Sequence, residues 1–156
     1  MIFDPALARQ ILAHARQEAP REACGAILER GTELKLIKAL NIQDTLHALD
    51  ATRPDAEAGY CFDPGTLSVI AEALTEGWRP AMIYHSHPNG SPRLSEEDRR
   101  QAAPEGEPLY PGTVYIVAAN GRLRAYAWAR GEYRRVEIGE ADVRETLTEP
   151  PGPLIA

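Results

Sequence analysis

The segment "RPAMIYHSHPNGSPRLSEED", residues 79–98, leaves the backbone few choices. Its apolar run reads as a short strand leading into His85 and His87. Pro88 and Pro92 lack the amide hydrogen a strand ladder needs, and Gly90 favours a turn, so the strand must stop there and bend. Ser95 then stands where a helix N-cap belongs, with acidic residues behind it. The chain is committed to a strand, a tight bend and a new helix that starts close to the strand's end. Residues i and i+2 of a strand share a face, so both imidazoles point to one side while Ser86 points to the other. Asp98, in the first turn of the helix, is placed to reach the same point.

Around this junction the pattern predicts a mixed α/β domain. Asp4 as N-cap and Pro5 at the first helical position open a helix that ends before Pro20. "EACGAILER" and "ELKLIKAL", separated by Gly31, read as a hairpin of two strands. Residues 41–58 are polar and read as an irregular surface loop. Asp63 and Pro64 repeat the helix-opening pair, and Gly77 closes that second helix. "GTVYIVAA", Asn120-Gly121 and "RLRAYAWA" form a strong hairpin signal, and "EYRRVEI" adds a strand. The order of elements predicts one domain over residues 1–139, with a central sheet flanked by helices. Residues 140–156 form a proline-rich tail.

Composition narrows the function. A net charge of −6 over 156 residues disfavours nucleic acid as the main partner. There is no apolar run of membrane-spanning length, and the start "MIFDPALARQ" does not resemble a secretory signal, so no membrane partner and a cytoplasmic location are expected. Cys24 and Cys61 are too few for a disulfide framework and read as free thiols. Two neutral imidazoles and one carboxylate suit a single Zn²⁺, with a fourth position left for water. "SEED" at 95–98 also matches a helix capping box, which alone would account for Ser95 and Asp98 and would compete for the same carboxylate. At the level of spacing both readings stand.

A wider pattern separates them. H-S-H-P, six residues and then S-x-x-D resembles the JAMM signature of the MPN+ metalloprotease family. The upstream glutamate of that signature is matched in "PREACGAIL", and the resemblance runs on through "YCFDP", "GWRPAMIYHSHPNG" and "YPGTVYIVA". It covers roughly residues 5–130. The resemblance implies a mostly antiparallel, cytidine-deaminase-like sheet with helices on its faces. It implies that His85, His87 and Asp98 hold zinc, that Glu22 is the general base, and that Ser95 stabilises the oxyanion. Neither cysteine is expected to act as nucleophile. Cys24 is a candidate site-adjacent thiol that could tune or inhibit the site on oxidation.

The family cleaves peptide or isopeptide bonds after the Gly-Gly tail of ubiquitin-like proteins. The short "HPNGSPRLSEED" segment is similar to prokaryotic members, whose substrates are ubiquitin-like modifiers or sulfur-carrier proteins. An extended Gly-Gly tail suits a narrow channel beside a strand edge. Residues 41–60, including Asn41, and the turn at Tyr110 to Gly112 are its candidate walls. Three alternatives compete: a non-catalytic MPN-type interaction module, hydrolysis of peptides unrelated to ubiquitin-like proteins, and an iron facial triad built from the same residue types.

Overall fold

A computed structural model describes residues 3–138. The first helix, α1 (Pro5–Glu18), begins as its sequence requires: the Asp4 carboxylate accepts the Ala6 N–H at 2.8 Å and Pro5 occupies the first turn. A side-chain cap of this kind is worth about 1 kcal/mol. Two strands follow, β1 (Cys24–Arg30) and β2 (Glu33–Ala39), paired antiparallel across a turn in which Gly31 has φ +60°. Next come α2 (Gln43–Leu49), α3 (Pro64–Thr75), β3 (Arg79–Ser86), α4 (Glu96–Ala102), β4 (Val114–Ala119), β5 (Arg122–Ala129) and β6 (Glu132–Val136).

Among the described residues the strands form one six-stranded sheet in the order β2-β1-β3-β4-β5-β6. β3 and β4 run parallel and the other neighbours antiparallel, which gives the mostly antiparallel sheet expected from the resemblance. The parallel step carries α4 as its crossover, so the new helix must cross one face of the sheet. The long connection between β3 and β4 therefore returns Asp98 to the strand that bears the histidines.

Strand alternation divides the core into two faces. Tyr84, Ile116 and Ala118 pack with Ile27 against Leu7 and Ile11 of α1. Tyr115 and Val117, one residue out of phase, pack with Leu94 and Ala102 beneath α4, and Leu28 of β1 packs with Ala73 of α3. The result is a sheet with α1 on one face and α3 and α4 on the other. Burying a large apolar side chain contributes about 2 kcal/mol, so these two faces hold α1 and α4 in place.

Two sequence expectations need correction. The 41–58 stretch contains the α2 helix, and Gln43 at its start is 1% exposed. The helix has no side-chain N-cap and only seven residues, too few to display a helical period, so the sequence offered no signal for it. The strand expected from Glu22 onward starts at Cys24, leaving Glu22 outside the ladder. The proline-rich tail at 140–156 lies outside the described residues.

Candidate metal centre

β3 delivers His85 at its penultimate position and His87 just beyond its end. Ser86, between them, turns to the opposite face and its Oγ accepts the Ala23 N–H at 2.7 Å. The bend after His87 is pinned from inside: Pro92 and Leu94 are buried, and the buried Tyr126 hydroxyl donates to the Pro92 carbonyl at 2.8 Å. α4 is pinned at its other side by Arg99, whose guanidinium donates to the Tyr133 carbonyl at 2.6 Å. These contacts aim the start of α4 at the strand end.

There three ligand atoms meet. His85 Nε2 and His87 Nε2 are 3.0 Å apart, and Asp98 Oδ2 lies 3.1 Å from the first and 3.2 Å from the second. A tetrahedral ion with bonds of about 2.0–2.1 Å needs ligand atoms about 3.3–3.4 Å apart, so this triangle has nearly the size of one face of a zinc tetrahedron. Among the described residues these three form the group able to hold a metal ion. His87 Nδ1 lies 2.9 Å from the Ser91 carbonyl. A carbonyl can only accept, so Nδ1 carries the hydrogen and the neutral ring presents the lone pair of Nε2 to the ion. The Tyr60 ring stacks on His85 with centroids 4.5 Å apart and fixes the plane of that imidazole.

The capping box expected at 95–98 is present together with the triad. Ser95 Oγ accepts the Asp98 N–H at 3.0 Å, and Asp98 Oδ2 accepts the Ser95 N–H at 2.9 Å. The two readings therefore coexist, because a carboxylate oxygen has two lone pairs and can serve an amide and a cation together.

Charges at the site pull in different directions. Burial opposes ionisation of Asp98, but hydrogen bonds from His85 and His87 outweigh it and hold its carboxyl well below the usual carboxylate range. Burial lowers the His85 pKa despite Asp98 beside it. For His87 burial also pulls down, but the bonds to Asp98 and to the Ser91 carbonyl win and raise it. Glu22 is 4% exposed, and burial pushes its carboxyl up to about 8, partly offset by His87. A divalent cation in the triad would add a second, stronger downward pull. Glu22 Oε1 lies 3.8 Å from His87 Nε2, and Oε2 has no hydrogen-bond partner among the described residues. An unpartnered buried carboxylate oxygen beside an ion-sized triad is a place for a polar ligand such as water.

The remaining predicted residues are placed as follows. Cys24 is fully buried and pairs across the sheet with His85; burial drives its thiol pKa far up, which suppresses the thiolate. Asn41 follows β2, and its carboxamide binds backbone groups of four residues, Glu22 among them. Tyr110 is 44% exposed on the turn before β4. Sequence reasoning missed the stack of Tyr60 on His85 and the Ser86 bridge to Ala23. For Ser86 the period of the strand already gave the direction, but not what it would meet.

Comparison with known proteins agrees with this geometry. Residues 4–131 match the prokaryotic homologs of the JAB domain. The chain is 30% identical over 134 residues, covering 82% of itself and 87% of the relative, to the desampylase of Haloferax volcanii. Its fold resembles a solution structure from Desulfitobacterium hafniense, with a TM-score of 0.64, 23% identity and coverage of 88% of this chain and 91% of that one. A Salinibacter ruber protein gives a TM-score of 0.59 at 24% identity, covering 96% and 95% of the two chains. A JAB1/MPN domain protein of Archaeoglobus fulgidus gives 0.50 at 20% identity, covering 88% and 94%. Since the sequence match runs through both arms of the histidine–aspartate triangle and the glutamate that faces it, the chain belongs to the prokaryotic JAB-domain family of JAMM-type hydrolases.

Proposed function

We propose that this protein is a zinc-dependent peptidase or isopeptidase that releases ubiquitin-like or sulfur-carrier proteins after a Gly-Gly C-terminus. The observation that carries this reading is the triangle of His85, His87 and Asp98 with the buried Glu22 carboxylate facing it at 3.8 Å from His87. The relative named desampylase supports a ubiquitin-like protein as the partner.

One Zn²⁺ per chain would be held by His85 Nε2, His87 Nε2 and Asp98 Oδ2. When bound, zinc supplies Lewis acidity that polarises a carbonyl and lowers the pKa of water toward neutrality. Glu22 accepts the proton of the attacking water at its carboxylate and returns it to the leaving amine nitrogen as the C–N bond breaks. Its buried position keeps the carboxylate poorly solvated and so basic enough for the task. Ser95 uses an Oγ lone pair to accept the Asp98 N–H, which leaves its hydroxyl hydrogen to donate to the oxyanion. No covalent enzyme intermediate is required, in keeping with the buried, protonated state of Cys24. The channel walls in this reading are the 41–60 segment, which Asn41 opens, and the Tyr110–Gly112 turn.

The test is hydrolysis of two matched substrates, an isopeptide-linked ubiquitin-like conjugate and the same protein with a linear C-terminal extension. Zinc-loaded protein should cut at least one of them after Gly-Gly, and an Ala-Ala tail should block it. Failure to cut either, with zinc bound, would remove the reading.

A further inference from the structure

The Glu22 side chain is buried, yet among the described residues no side chain hydrogen-bonds its carboxylate. Its Oε2 has no partner among the described residues, and 3.8 Å from Oε1 to His87 is beyond hydrogen-bond length. The direction of the carboxylate is therefore set by the backbone that carries it. That backbone precedes β1, and one backbone bond of the β1–β3 pairing reaches its edge, from the Ser86 N–H to the Ala23 carbonyl at 2.9 Å. Three further bonds hold Glu22 itself. The Glu22 N–H donates to the Ala56 carbonyl at 2.7 Å, and the Ala23 N–H donates to Ser86 Oγ at 2.7 Å. The Glu22 carbonyl accepts from Asn41 Nδ2 at 2.9 Å.

Asn41 is the centre of this arrangement. Its second Nδ2 hydrogen goes to the Gly59 carbonyl at 3.0 Å, while Oδ1 accepts the N–H of Gln43 at 3.0 Å and of Cys61 at 3.1 Å. Two carbonyls on one side and two N–H groups on the other leave a single orientation for the carboxamide, since a flip would set donors against donors. One side chain thus ties Glu22 to the start of α2 and to residues 59–61. Gly59 and Cys61 flank Tyr60, whose ring lies on His85.

We infer that Asn41 is a positioning residue for Glu22: its carboxamide holds the Glu22 backbone so that the carboxylate faces the metal triad, and, with its Nδ2 and Oδ1 spent on backbone groups, it acts through Glu22 rather than by bonding the ion or the substrate. Aspartate at this position would set an anion against the Glu22 and Gly59 carbonyls, and alanine would remove all four bonds.

Because the inference rests on Glu22 carrying the proton in the proposed hydrolysis, the test has an arm that needs no activity. Amide hydrogen exchange is measured on the parent, Asn41→Ala and Asn41→Asp, each with and without zinc. The Glu22 and Ala23 amides should exchange at least about tenfold faster in the variants while Ile27 and Ile116 keep their parental rates. In the second arm, kcat on the isopeptide conjugate should fall about 10- to 100-fold, with KM and zinc affinity held within about twofold. Leu123→Ala, a core change under α1, serves as the control for lost stability and should keep parental kcat. If Asn41→Ala does not fold, Asn41→Ser, which retains one hydroxyl, carries the same comparison. Unchanged exchange at Glu22 and Ala23 would overturn the inference, as would a kcat loss matched by Leu123→Ala at equal loss of Tm. Should the parent cleave nothing, the hydrolysis reading is lost while the exchange arm still decides whether Asn41 fixes Glu22.

Discussion

Ser95 and Asp98 cap one another, and the Asp98 oxygen that accepts the Ser95 N–H at 2.9 Å is the same one that faces His85 at 3.1 Å and His87 at 3.2 Å. Helix start and candidate metal triad are therefore one device. The cap fixes the carboxylate before any ion arrives, so little side-chain freedom is lost on binding.

This coupling predicts separable effects of two substitutions. Asp98→Asn keeps an oxygen for the cap but removes the anionic ligand, and zinc affinity measured by competition with a chromophoric chelator should fall more than about 100-fold. Ser95→Ala should cost about 1 kcal/mol of stability through the lost cap, read by denaturant unfolding. If Ser95 also stabilises the oxyanion, kcat should drop about 100-fold with zinc still bound.

Metal removal should be read as stability as well as activity. Zinc in large excess over its Kd, by about 1,000-fold, should add about 4 kcal/mol, and a chelator should take it away. His85→Ala should abolish the difference in Tm between zinc-loaded and chelated protein; an unchanged difference would place the ion elsewhere.

Glu22→Gln should lower kcat by about 100- to 10,000-fold while zinc remains bound. Its effect on metal-free stability has a definite sign. The folded-state pKa of about 8 lies above the ordinary value of 4.5, so the folded protein holds a proton that the unfolded chain releases. Stability is full below about 4.5 and is lost as the pH rises toward 8. Glu22→Gln removes that loss, so its Tm relative to the parent should be higher by a few degrees at pH 8 and close to it at pH 5.

His14 gives the opposite slope. It is 4% exposed, its Nδ1 is 2.8 Å from the Tyr84 hydroxyl, and burial followed by the charge of Lys38 lowers its pKa. The unfolded chain takes up the proton first, so stability is full above about 6.5 and falls as the pH drops below it, by up to about 1.4 kcal/mol per unit. His14→Phe should flatten that part of the stability–pH curve measured with urea.

Cys24 should be inert. A fully buried thiol whose pKa is raised by burial offers almost no thiolate to an oxidant. Parent and Cys24→Ser should lose activity at the same rate under mild peroxide; a resistant Cys24→Ser would revive the regulatory thiol.

The elements of the junction at 85–98 are legible in local chemistry. Prolines without amide hydrogens, a strand of period two and a serine N-cap are local constraints, and they put His85 and His87 on one side of a strand end and Asp98 in the first turn of the next helix, which the long-range bonds of Tyr126 and Arg99 then aim at the histidines. The same local rules gave α1 and α3 through their Asp-Pro starts and the β4–β5 hairpin through Asn120-Gly121. What lies around that junction follows from long-range packing. Glu22 reaches the triad because β1 pairs with β3 in the register Cys24 opposite His85, and the order of strands is a property of the whole sheet. Asn41, Tyr60 and Ser86 act on partners far away in sequence, and no periodicity encodes such contacts. The short α2 is hidden for a related reason: its N-cap residue, Ile42, has no side chain that can cap, and the burial of Gln43, its bond to the Pro54 carbonyl and the Asn41 bond to its N–H hold the helix in place. Local chemistry fixed which residues could hold an ion, and long-range packing fixed which carboxylate would face it.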